Sequence, residues 1–351
     1  MWYRWGGSLL RMLPPETAHT LGLQLLKCPI RLGAKVADPW TWNSLTFRNK
    51  VGIAAGFDKN AVALAGLERL GVGFVEIGTI LVEPWPGNPK PRLKRLPAKQ
   101  GIWNRLGFPS DGVQLITQRL ASFPRDQRHG MLVFCNIGPH PGHLKSCNSP
   151  ESYLQLAREE LCVLVDQLHP HSDGFVINLS SPNTAGLRGL FCDPRLAQEL
   201  MLPVYNRVRS HANNTNRWIP VLIKLPPEDQ DKLPWTRNSL ESVLLPLLKL
   251  QACDGFVAVN TSTHLSQELL KRDMGGISGG PLLPLALCVI ELLRSLIGDE
   301  MLILGCGGIT RPEDCLQLQK AGAQLVELYS GMIYEGPGFP SACASVLKNA
   351  T

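Results

Sequence analysis

The sequence predicts an α/β chain: a (β/α)8 (TIM) barrel with a small N-terminal helical extension. Three observations carry this expectation. Eight short apolar runs recur along the chain, each ending in Gly, Asn, Lys, Thr or Ser. The runs are continuously apolar rather than alternating, as in parallel strands covered on both faces. Helix-patterned stretches lie between them, and strands alternating with helices build a barrel whose site sits at the C-terminal strand ends. An open doubly wound sheet fits less well, because its early G-x-G-x-x-G turn is absent.

In order, the strand-like runs are VGIAAGFDK from Val51, GFVEIGT from Gly73, LVFCNIG from Leu132 and GFVINLSS from Gly174. VLIKLPP from Val221, GFVAVNTST from Gly255, LILGCGG from Leu302 and LVELYSG from Leu325 complete the set. Between the first two, ALAGLERLG has apolar residues at helical spacing and stops at Gly71. SPESYLQLAREELCVLVDQL opens with Ser149 as a candidate cap and Pro150 at the first helical position. DPRLAQELMLPVYNRV opens the same way with Asp193 and Pro194, and RPEDCLQLQKAG ends on Gly322.

Two segments fall outside this rhythm. Residues 1–33 precede a barrel domain expected over 34–351. In them Trp2, Tyr3, Trp5, Leu9, Leu10 and Leu13 lie before Pro14-Pro15, and Leu21, Leu23, Leu25 and Leu26 follow. This pattern reads as two short amphipathic helices with aromatic residues suited to a membrane interface. A cap packed on the barrel accounts for it equally well. After the second strand, EPWPGNPKPRLKRLPAKQGIWNRLGF reads as an unusually long functional loop. Its basic run, Lys90, Arg92, Lys94, Arg95 and Lys99, reads as solvated, with contact to anionic lipid or an acidic substrate as the alternative.

Composition narrows the classes of function. The 351 residues are 44% hydrophobic and 18% charged, an ordinary globular balance, and a net charge of +6 does not point to nucleic acid. Ten cysteines without a C-x-x-C pair give neither a zinc ribbon nor a redox motif, and read as reduced thiols. No uninterrupted apolar run reaches the roughly 18 residues of a spanning helix, and no signal peptide is visible. Membrane contact is therefore expected at the surface.

Taken as a ring, the strand ends supply Lys59, Thr79, Asn136, Asn178, Lys224, Asn260, a G-x-G-G turn over Gly305 to Gly308, and Tyr329-Ser330. Converging amide and ammonium groups fit a pocket for a planar, carbonyl-rich ligand. The glycine turn after the seventh strand can bring backbone N–H groups to a phosphate, although a plain tight turn has the same pattern. Lys224 ends an apolar strand, so it needs either a buried carboxylate partner or a role beside a flavin ring. His140, His143 and Cys147 have no helix to fix their spacing and no fourth ligand, so no metal site is predicted. Ser181 lies in no G-x-S-x-G elbow.

Several longer motifs resemble the dihydroorotate dehydrogenase family: AAGFDK (Ala54 to Lys59), GFVEIGT, GNPKPR, NRLGF (Asn104 to Phe108), NLSSPNTAGLR (Asn178 to Arg188), GGISGGPL (Gly275 to Leu282), GCGGI and LVELYSG. PPETAH is similar to the start of the quinone-dependent, membrane-associated class, and serine at 181 points the same way. The resemblance implies oxidation of dihydroorotate to orotate with FMN in pyrimidine (UMP) synthesis. Ser181 would remove the C5 proton while hydride leaves C6 for the flavin, with Thr184 and Phe108 shaping the proton's path. Lys59, Asn104, Arg105, Leu106, Gly107, Phe108, Asn178, Asn183, Asn260 and Thr261 would hold substrate. Ala55, Gly56, Lys59, Thr79, Asn136, Asn178, Lys224, Ser278, Gly279, Gly307, Gly308, Tyr329 and Ser330 would hold FMN. His19, Arg95 and Tyr329 would line the quinone passage.

The implied partners are dihydroorotate, a membrane quinone and a membrane surface, with no nucleic acid, for a monomer held peripherally on the cytoplasmic side of a cell inner membrane. A mitochondrial inner membrane is the alternative location.

The chain departs from the family pattern in places. GPHPGH follows Asn136 where G-K-N-K is usual, Gly280 stands where a basic residue follows S-G, and Val259 replaces a threonine. KLPPED replaces K-I-A-P-D, and Leu10 takes a position often polar at the quinone entrance. These departures motivate two alternatives. One is an FMN barrel using a soluble acceptor or another dihydropyrimidine. The other is a barrel without turnover that acts as a binding or regulatory protein.

Overall fold

The computed structural model describes residues 10, 12–29, 34–181, 183, 187–229, 231–272 and 274–350, with backbone only for Arg188 and Leu190. A helix over Pro15–Lys27 leads to a hairpin of β1 (Trp40–Trp42) and β2 (Leu45–Phe47). The barrel strands are β3 (Val51–Ile53), β4 (Phe74–Ile80), β7 (Leu132–Ile137), β8 (Gly174–Ile177), β9 (Val221–Leu225), β10 (Gly255–Ala258), β12 (Leu302–Cys306) and β13 (Leu325–Leu328). They pair in parallel in that order and close when β13 pairs with β3. Each strand falls within one of the eight apolar runs, except that β4 extends one residue beyond its run, to Ile80.

The predicted helix starts follow local hydrogen bonding. Ser149 caps Pro150–Leu168 by accepting from Ser152 N at 3.2 Å, satisfying a donor that the first turn leaves unpaired. Asp193 Oδ1 accepts from Arg195 N (2.9 Å) and Leu196 N (3.1 Å) to start Pro194–Thr215. Helix Asp314–Ala321 ends at Gly322, whose φ of 121° suits only glycine well.

The hairpin closes the N-terminal end of the barrel. Phe47 is fully buried against Phe74 (5.6 Å between ring centroids) and Phe134 (6.1 Å). A closed lower end leaves the C-terminal strand ends as the mouth.

One sequence expectation needs correction. The long stretch after β4 is not all loop: it contains β5 (Leu93–Leu96) and β6 (Gly101–Asn104), joined antiparallel by β11 (Gly276–Gly279). Ile102 and Trp103 of β6 are buried, which gives this small sheet an inner face. Gly280–Ile297 reaches a mean hydropathy of 1.8 over 18 residues without being an uninterrupted apolar run. It is a barrel helix: Ala286, Val289, Ile290 and Leu293 are buried, while Glu291 and Arg294 interrupt its apolar surface.

The helix Pro15–Lys27 docks beside β5. Glu16 pairs with Arg92 (2.8 Å) and Lys90 (2.9 Å), and Arg95 donates to Leu13 O at 2.8 Å. Part of the basic run thus anchors the N-terminal helix, while Lys94 and Lys99 stay exposed. The first of the two expected N-terminal helices falls largely outside the described residues.

Candidate active site

Strand termini bring their polar residues into one cavity of about 1070 Å³, open mouth included. Asparagines build a connected amide network in its wall. Thr79 Oγ1 donates to Asn136 Oδ1 at 2.6 Å, and Asn178 Nδ2 donates to Thr79 Oγ1 at 3.0 Å. Asn260 Nδ2 donates to Ser180 Oγ at 3.0 Å, and Ser180 donates to Asn178 Oδ1 at 3.1 Å. Such a network orients each amide, so the donors and acceptors left facing the cavity are fixed in place.

Lys224 answers the question its sequence position posed. Its Nζ lies 2.8 Å from Glu76 Oε2 on β4 and 3.9 Å from Glu327 Oε2 on β13. Burial alone would drive the ammonium to lose its proton, but the Glu76 charge and hydrogen bond, with Cys306 and Glu327 adding to them, together outweigh it and raise the Lys224 pKa. Burial likewise opposes charge on Glu76, yet Lys224 and an Asn136 hydrogen bond hold its carboxyl below the usual range. Glu327 goes the other way, pushed well up by burial and by the Glu76 charge.

Lys59 also sits in the cavity wall and donates to Gly56 O at 2.6 Å. Burial lowers its pKa to about 8, with Asp58 opposing the shift. The ammonium is therefore charged below pH 8 and neutral above it. We predict that affinity for an anionic ligand holds steady below that point and falls as pH rises past it. Equilibrium titration with a planar carboxylate ligand from pH 6.5 to 9.5 reads this out; a flat profile would remove Lys59 from anion binding.

The opposite end of the cavity is built from small residues. Ser278 and Ser330 hydroxyls lie 2.8 Å apart, beside Gly307 and Gly308 at φ 121° and 88°. A Cβ on Gly308 would lie 2.3 Å from Leu283 Cα, so this turn must stay bare backbone. Gly280, the departure next to Ser278-Gly279, has a packing reason. A Cβ there would meet Lys99 O at 2.8 Å, so a basic side chain would require the Lys99 turn to move.

Most predicted residues meet here. Ala55, Gly56, Lys59, Thr79, Asn104, Leu106, Gly107, Phe108, Asn178, Ser181, Asn183, Lys224, Asn260, Thr261, Ser278, Gly279, Gly307, Gly308, Tyr329 and Ser330 all line the cavity. Arg105 does not: its guanidinium turns away to the Pro91 and Pro89 carbonyls. Asn136 is fully buried behind the lining. Thr184 lies outside the described residues.

His19 and Arg95 belong to the N-terminal docking surface rather than the lining. His19 nevertheless stacks edge-on against Phe57 (5.6 Å), which contacts Tyr329 (6.0 Å), so an aromatic chain leads from the helix to the cavity. Burial, with Lys59 nearby, lowers the His19 pKa to about 3 and keeps the ring neutral. The GPHPGH loop is tied to the helix Pro150–Leu168: His140 N donates to Glu160 Oε2 at 2.6 Å, and His143 Nδ1 lies 2.5 Å from Glu160 Oε1. It contributes no lining residue.

Sequence reading missed Glu76, Glu327 and Cys306, and marked Val259 only as a departure without placing it in the lining. The two carboxylates had a signal: each is a lone acid inside an apolar strand, as Lys224 is a lone base. Glu228 of KLPPED was also unassigned; it accepts from Thr263 N and Oγ1, both at 2.7 Å, and braces the segment after Asn260-Thr261.

A closed barrel with an amide-rich mouth, a bare glycine turn and a buried lysine defines a class of barrels that hold a planar, anionic ligand at the strand ends. The family model for dihydroorotate dehydrogenase matches residues 40–350. The chain is 35% identical over 353 residues to "Dihydroorotate dehydrogenase (quinone)" of Polaromonas naphthalenivorans, covering 96% of this chain and 95% of that protein. A protein of the same name from Stenotrophomonas maltophilia is 36% identical over 356 residues, covering 99% and 96%. The crystal structure of DHODH from Eimeria tenella in complex with ferulenol superposes with a TM-score of 0.84 at 29% identity, covering 96% of this chain and 91% of that one. The chain belongs to the dihydroorotate dehydrogenase family.

Proposed function

We propose that this chain oxidises dihydroorotate to orotate in pyrimidine synthesis, with electrons passing through FMN to a membrane quinone. The observation that carries the reading is one cavity holding Ser181, Lys59 and the amides of Asn104, Asn178, Asn183 and Asn260, next to a bare glycine turn. Lys59 would pair with the substrate carboxylate, and the asparagines would pair with its ring carbonyls and N–H groups. Ser181, a residue 3% exposed, would take the C5 proton through its Oγ.

The donor set fits FMN. The Gly307–Gly308 turn with the Ser278 and Ser330 hydroxyls suits a phosphate. Lys224, Thr79, Asn136 and Asn178 suit the polar edge of a ring, and Ala55, Gly56, Gly279 and Tyr329 complete the wall. FMN, when bound, supplies the two-electron acceptor that no side chain provides.

The N-terminal helix supports the quinone half of the reading. Met12 (82% exposed), Leu21 (42%) and Leu25 (52%) face outward, while His19 faces Phe57 and the cavity. We assign residues 1–33 to membrane docking and quinone access and 34–351 to catalysis, in a monomer lying on the cytoplasmic side of a bacterial inner membrane.

Anaerobic dihydroorotate should bleach the purified yellow protein, and a short-chain quinone should restore the colour. A colourless protein would favour a binding or regulatory barrel. Reoxidation by fumarate or NAD, but not by quinone, would end the membrane reading.

A further inference from the structure

Three ionisable side chains from three strands meet in the wall of the cavity. Glu76 (β4), Lys224 (β9) and Glu327 (β13) have side chains 0%, 5% and 0% exposed. Glu76 is fully engaged as an acceptor: Lys224 Nζ and Ala55 N (3.3 Å) donate to Oε2, and Asn136 Nδ2 donates to Oε1. Glu327 differs. Among the described residues neither of its oxygens accepts from an N–H or O–H donor, the weak donor beside it being the Cys306 thiol, and Lys224 is beyond hydrogen-bond distance at 3.9 Å.

The Glu76 carboxyl lies within its hydrogen-bonding reach. Two carboxylates are acceptors only and repel each other. One proton placed on Glu327 turns that contact into a donated hydrogen bond and removes an uncompensated buried charge. The remaining titratable group facing Glu327 is the buried Cys306 thiol, which burial holds in its neutral form.

We propose that Glu76 and Glu327 hold a single proton between them, making the Lys224–Glu76–Glu327 cluster electrically neutral and tuning how the wall stabilises negative charge on a bound ring. Either carboxyl can then serve as counter-ion to Lys224. If one is removed, the other releases the shared proton and takes over. The proton does not depend on the cofactor; the electrical consequence rests on the FMN reading proposed above.

Infrared spectroscopy of the purified protein at neutral pH tests the proton directly. Wild type should show a protonated-carboxyl carbonyl stretch that is lost in both Glu327→Gln and Glu76→Gln, because each substitution removes the surplus proton. The reduction potential of the bound flavin tests the charge. Each single substitution keeps the cluster neutral and should leave the potential near the wild-type value, while Glu76→Gln/Glu327→Gln leaves Lys224 alone and should shift it upward. The proposal is overturned if wild type lacks the band, if the band survives in Glu327→Gln, or if Glu327→Gln shifts the potential as far as the double variant. A colourless protein would end the FMN reading instead, with the infrared result still able to decide on the proton.

Discussion

Ser181→Ala keeps the flavin bound and slows its reduction by dihydroorotate by roughly two to four orders of magnitude, the range spanned by a positioned general base. The residues suited to the cofactor's phosphate, Ser278, Ser330, Gly307 and Gly308, are distinct from Ser181, so its hydroxyl can be deleted without disturbing them. Asn183 N donates to Ser181 Oγ at 3.3 Å and fixes where the hydroxyl points. Lys59 is the competing base, an amine with a pKa near 8 in the same cavity. Anaerobic stopped-flow separates the two: unchanged bleaching in Ser181→Ala would take the serine out of the mechanism and leave the amine as the base.

Lys224→Met has the largest expected effect on stability, a loss of about 3–5 kcal/mol, because it breaks a buried pair and leaves charge behind. Chemical denaturation at several pH values measures it. In the variant Glu76 loses the ammonium that held its carboxyl charged, so its folded-state pKa rises above the unfolded value. The folded variant then binds more protons than the unfolded chain, so its deficit should shrink as pH falls and grow as pH rises. A denaturation midpoint equal to wild type at pH 8 would show that Lys224 is not balancing Glu76.

Much of the barrel could be read from residues because each strand is buried on both faces, which leaves continuous apolar runs such as LVFCNI and LILGC. Their polar endings then located the mouth. The antiparallel sheet was illegible for the opposite reason. Its β5 reads Leu-Lys-Arg-Leu and its β11 is half glycine, so neither has an apolar run; β5 pairs with the neighbouring β6, but the pairing of β11 with β6 is remote in sequence. Arg105 was misassigned because a motif gives the order of residues and not their facing; its neighbours Asn104 and Leu106 line the cavity while its own side chain points out. Glu76 and Glu327 were passed over because one acid inside an apolar run looks like a tolerated exception until the partner strand is known. Gly280 was a bare departure in sequence, and only the approach of the Lys99 carbonyl explains it.

The small sheet over the mouth also dictates when the site can come into being. Asn104 Nδ2 bonds Gly276 O across 172 positions of chain, and β6 has no partner on that side until β11 exists. During synthesis, six of the eight barrel strands have already been made by then. Contacts this distant form slowly, because a long stretch of chain must be closed first. The nascent protein therefore passes through a stage with most of its barrel and none of its finished mouth. Ligand capture is among the last acts of folding, and truncation anywhere before β11 yields a chain that cannot hold its cargo.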